Sequence, residues 1–163
     1  MLFSVKKWTF VIFLVSGYLF GAFAQMGQSE LKILSENADV IVTGKVIQQN
    51  SSWNENKTRI FTRATIQVEE TLKGSGLNSV VVSYPGGEVG DIGEMYTHTP
   101  KFENNEEVLV FLKKDQTGSS YKVINGEDGK LTVTTDTKTG EKITAQNVKV
   151  NTLTAQIKNY VND

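Results

Sequence analysis

The stretch TRIFTRATIQVEETLKG, residues 58–74, alternates between two faces for longer than most strands do, and this length is the strongest constraint on the fold. With a side-chain period of two, Ile60, Thr62, Ala64, Ile66 and Val68 share one face, and Phe61, Arg63, Thr65, Gln67 and Glu69 share the other. About 11 residues at ~3.3 Å each reach about 36 Å, against the ~17–20 Å of a typical strand. A strand this long is best used bent and shared between two sheet faces, which favours closure into a small barrel over an open sandwich.

Further strands are expected on both sides of it. ADVIVTGKVIQQ sets Val40, Val42, Gly44 and Val46 against Ile41, Thr43, Lys45 and Ile47. SVVVSY follows at residues 79–84, and EVLVFLK, residues 107–113, is the most apolar run after the N-terminal segment. In EVLVFLK, Val108, Val110 and Leu112 face one way and Leu109 and Phe111 the other, as expected of a central strand covered on both faces. SSYKVING reads as a short strand, and LTVTTDTKTGEKITAQ as a polar ribbon turning near Thr139-Gly140. NSSWNENK, residues 50–57, is expected to be a polar connection.

The period changes at both ends. SELKILSENA carries Leu31, Leu34 and Ala38 at helical spacing, with Ser29 placed to cap it; NTLTAQIKNYVND sets Leu153, Ile157, Tyr160 and Val161 on one face, with Asn151 as cap. The expected architecture is therefore mainly β, a single small β-barrel with an N-terminal and a C-terminal helix.

Before this domain stands MLFSVKKWTFVIFLVSGYLFGAFAQ, in which Lys6 and Lys7 precede an apolar run closed by Ala22-Phe23-Ala24, the layout of a cleavable secretory signal over residues 1–24. Residues 25–163 are then the exported domain, secreted or periplasmic, with no stable membrane span after cleavage. The chain has no cysteine, which excludes disulfides, thiolate zinc sites and a cysteine nucleophile. Loss of Lys6 and Lys7 turns 17 basic residues against 18 acidic ones into 15 against 18. That balance disfavours nucleic acid and leaves an extracellular or envelope protein, or a glycan, as the expected partner.

The segment YPGGEVGDIG, residues 84–93, invites a ligand. It lacks the lysine and hydroxyl of a P-loop, and no βαβ unit surrounds it to make a dinucleotide fingerprint. Glu88, Asp91 and Glu94 recur every third residue with His98 four further on, a set of oxygens and an imidazole from which a metal site could be built, calcium being the ion such acids would take. The competing reading is a solvated loop whose glycines answer a backbone need for positive φ. His98 is the lone histidine, and no serine sits in a GxSxG elbow. No catalytic residue and no cofactor are therefore assigned, and a non-enzymatic module is expected. Trp53 and Tyr96, both in expected loops, are candidate apolar anchors for a partner, with Glu88, Asp91 and Glu94 favouring a basic rim on it. Phe61, alternating with Arg63, is expected beneath a helix rather than as a stacking platform.

Taken in order, ADVIVTGKV, VEETLKG, the pair Gly86-Gly87 and VLVFL resemble the small exported bacterial domains of unassigned function built on an OB-like barrel. A more distant resemblance, carried by ADV…GKV, is to netrin-like modules such as the tissue inhibitors of metalloproteases. The resemblance implies an OB-like (netrin-like) barrel acting as a binding or envelope-associated module. The netrin-like resemblance adds one alternative to test, a secreted protease inhibitor; the residues themselves add another, a small metal-dependent hydrolase using His98 and the nearby acids. The inhibitors' zinc-chelating N-terminal cysteine has no counterpart here, and fold alone does not carry activity.

Overall fold

This computed structural model describes residues 27–116 and 118–162, so the expected signal segment lies outside the described residues. Helix α1 (Gln28–Asn37) leads into β1 (Val40–Trp53), which turns back into β2 (Ile60–Lys73) and then β3 (Ser79–Pro85). A small hairpin, β4 (Gly87–Val89) and β5 (Ile92–Glu94), precedes β6 (Glu107–Lys114) and β7 (Tyr121–Val123). A 3-10 turn (Gly126–Gly129), β8 (Lys130–Thr135), β9 (Lys142–Thr144) and α2 (Val150–Asn162) complete the chain.

The sheet closes on itself. Its order is β1-β2-β3-β7-β6, with β6 pairing back onto β1, so five strands make a barrel; β8 and β9 extend from β6. All neighbours are antiparallel except β3 and β7, which meet in parallel at Val82 and Tyr121. Both long strands have 14 residues. The pairing of β1 with β2 shifts register between Ile41 and Val42, Thr43 and Gly44, and Val46 and Gln48. Such bulges bend a strand and increase its twist, which lets the first part of β1 serve β6 as well as β2. Gly44 lies at one bend, where a Cβ would strike the Gln67 carbonyl oxygen.

Two apolar cores share β6. Val108, Val110 and Leu112 point into the barrel with Val42, Val46, Ala64, Ile66 and Val82. Leu109 and Phe111 point outward beneath α1 and α2, against Leu34, Ile41 and Ile157. Each fully buried side chain of this size contributes about 1.5–3 kcal/mol. The carbonyl end of α1 is held by lysines: Lys73 Nζ donates to the Ser35 and Glu36 carbonyls at 2.8 and 2.9 Å, and Lys113 Nζ donates to that of Asn37 at 3.1 Å.

Four local expectations change. Helix α1 starts one residue before Ser29, with Gly27 at the cap and no side-chain cap bond. Asn151 lies inside α2 instead of before it, and its carbonyl accepts a bond from Thr154 Oγ1 at 3.1 Å. Residues 50–53 belong to β1, because the turn is postponed to Asn54, whose Oδ1 accepts the Thr58 and Arg59 amides at 2.8 and 3.1 Å. Phe61 packs beneath neither helix; it is half-buried opposite Ser52 and Pro85.

Candidate functional site

The glycine segment crosses the barrel end at close range. Gly86 and Gly87 take φ of 99° and 125°. The Gly86 amide donates to the Ile60 carbonyl at 2.8 Å, while its own carbonyl accepts from Thr62 Oγ1 at 2.7 Å. Thr62 Oγ1 also lies 2.8 Å from Ser51 Oγ. A Cβ on Gly87 would fall onto both hydroxyls, so only glycine lets the chain pass over them. Gly90, with φ of 62°, turns β4 into β5.

The rest of the connection plugs and straps the barrel. Phe102 is buried against the barrel core, its ring centroid 5.6 Å from that of Tyr84. Lys130 Nζ stands 5.2 Å over the Phe102 ring and 2.6 Å from Glu106 Oε1, which also accepts from Thr132 Oγ1 at 2.6 Å. The amides of Asn105 and Val46 bond to the carbonyls of Val46 and Glu106.

Between the hairpin and this strap lies a cleft of about 540 Å³. Gln49, Ser51, Thr62 and Tyr84 form its barrel side; Glu88, Glu94, Met95 and Tyr96 line one wall, and Lys101 and Phe102 the other. Tyr84 donates its hydroxyl to Gln49 Oε1 at 2.9 Å, and burial pushes its phenol above the ordinary value, opposed by hydrogen bonds from the Phe102 backbone and Thr62. Glu94 Oε2 accepts the Ile60 amide at 3.0 Å and the Tyr96 hydroxyl at 2.9 Å. That hydrogen bond to a carboxylate raises the Tyr96 phenol, with burial adding to it.

Of the residues singled out in the sequence, Glu88, Glu94 and Tyr96 line the cleft; Asp91, His98 and Trp53 do not. Asp91 is exposed at the hairpin turn. His98 is exposed with φ of 55°, and its carbonyl packs against Gly126. Trp53 is half-buried at the end of β1. Among the described residues no group of three or more His, Cys, Asp or Glu side chains converges as metal ligands would. The every-third spacing falls on a two-residue-period hairpin: Gly87 pairs with Glu94 and Glu88 with Gly93, so Glu88 and Glu94 stand at successive, oppositely facing positions.

The cleft contains residues the sequence did not single out: Gln49, Ser51, Thr62, Tyr84, Met95, Lys101 and Phe102. Met95, 80% exposed, was legible as an apolar residue in a loop. The remaining ones belong to strands or to the strap and carry no local signal. No protein-family model matches the chain, and no curated protein is significantly similar to it.

Proposed function

We propose that this chain is an exported binding module without chemistry of its own, an OB-like barrel whose working surface is the cleft between the β4–β5 hairpin and the strap. The observation that carries this reading is that Ser51 with Thr62, Tyr84 with Gln49 and Tyr96 with Glu94 hydrogen-bond to one another within the cleft, while Tyr84, Tyr96, Phe102 and Met95 give it apolar walls. A site so arranged offers shape and aromatic contact to a protein or glycan segment from outside the cell or from the envelope. The closed order β1-β2-β3-β7-β6 with one parallel seam supports the OB-like reading.

The test is binding of envelope glycan fragments and of extracellular proteins to wild type and to Tyr96→Ala with Met95→Ala, by calorimetry or surface capture. A saturable ligand of the wild type is expected to bind the double variant at least about tenfold more weakly, the loss of two apolar contacts each worth about 1 kcal/mol or more. Unaltered affinity in a folded double variant would remove the cleft from consideration.

A further inference from the structure

We infer that the outer half of β1 is a pairing edge for a second copy of this chain. Residues 41–45 of β1 are paired on both sides, by β2 and by β6, but among the described residues 48–53 pair with β2 alone. The bulge between Val46 and Gln48 precedes this run, and residues 48–53 then pair with β2 in unbroken register.

The direction of the free main-chain groups follows from the bonds around them. Asn54 donates its amide to the Arg59 carbonyl across the hairpin. Ile60, opposite Trp53, uses its carbonyl for Gly86 and its amide for Glu94. Ser51 and Thr62 bring their hydroxyls to 2.8 Å, as the side chains of a non-hydrogen-bonded pair do. The alternation of an antiparallel ladder therefore turns the amides and carbonyls of Gln49, Ser51 and Trp53 away from β2, toward the open edge.

Open edges are normally guarded by charge, proline or a bulge. The comparable open run on β2, residues 69–73, carries Glu69, Glu70 and Lys73. Residues 46–54 read VIQQNSSWN, with no charge, proline or glycine. The neutral, hydrogen-bonding run points to a second copy as the occupant, because a two-fold axis at the middle of the run sets Asn50 against its own copy, where a charge would meet itself. Antiparallel pairing about Asn50 puts Gln49 opposite the partner's Ser51 and Gln48 opposite the partner's Ser52. Ile47, 52% exposed, comes beside the partner's Trp53. The axis is perpendicular to the sheet, so the two clefts open on the same side and the proposed binding face becomes bivalent.

Sedimentation over a concentration series tests this. Wild type is expected to reach twice the monomer mass; Asn50→Lys and Asn50→Asp each weaken self-association at least about tenfold, because like charges then stand opposite one another, and an equimolar mixture of the two restores it. Circular dichroism checks that both variants are folded, as the exposed position of Asn50 requires. Amide exchange at Gln49 and Ser51 is expected to slow as wild-type concentration rises. A wild type that stays monomeric at its highest soluble concentration overturns the proposal. So does a dimer that both single variants leave intact, or one whose Gln49 and Ser51 amides exchange at a concentration-independent rate.

Discussion

Gly87 and Gly90 lie three residues apart in the same hairpin, both at positive φ, yet only one has its space occupied. A Cβ at Gly87 meets the Ser51 and Thr62 hydroxyls, whereas nothing lies within 4 Å of one at Gly90. Gly87→Ala is therefore expected to cost about 2–3 kcal/mol, combining backbone strain with loss of the hydroxyl pair, and Gly90→Ala about 1 kcal/mol from strain alone. Urea unfolding would show the difference as a larger shift in midpoint at unchanged slope. Glu94 is a second decisive residue, since one carboxylate oxygen holds both the start of β2 and the Tyr96 hydroxyl. Glu94→Gln is expected to bring the Tyr96 phenol back down toward its ordinary value, read by ultraviolet titration of the tyrosines. The sign agrees with linkage. A phenol raised in the folded state contributes stability that is fully present below its unfolded value, near pH ~10, and is lost as pH rises through the folded value.

At the scale of elements, the connection of residues 86–105 takes its shape from what anchors its two ends. The β4–β5 hairpin is tied to β2 through Glu94 and Gly86, and the strap is tied to β8 through the pair of Lys130 and Glu106, whose side chains are only 10% and 11% exposed. Removing one member of such a pair leaves the other buried without its counter-charge. Glu106→Ala is expected to cost about 3 kcal/mol, while Lys130→Met, which keeps an apolar stem against Phe102, costs less. Both variants lose the charge pair, so the difference between them in thermal and urea unfolding reads the hydrogen bonds that Glu106 also accepts from Thr132 Oγ1 and the Glu103 amide.

For the molecule as a whole, two layers of core stand on the alternation of β6, and that alternation was readable from VLVFL alone. Strand periodicity, the excess length of β2 and the helical spacing of Leu153, Ile157 and Tyr160 were likewise local properties, and they led to a barrel with a helix at each end. Helix caps were misplaced by two residues and the end of β1 by four, the latter because Asn54 takes the turn through its bonds to Thr58 and Arg59. The candidate site was half legible. Glu88, Glu94 and Tyr96 were found in the loop, but Gln49, Ser51 and Thr62 on β1 and β2 enter the cleft only because Gly86 and Gly87 carry the loop over them. Sequence by itself determined which residues alternate, which face of each strand is apolar and where the backbone needs glycine, since each follows from bonds and sterics within a few residues. Tertiary structure alone decided that Asp91 and His98 stand apart from Glu94, that the cleft draws on residues 49 to 102, and that half of β1 is left with an open edge. Those outcomes depend on the register in which distant strands meet, and a shift of one residue there reverses every side chain.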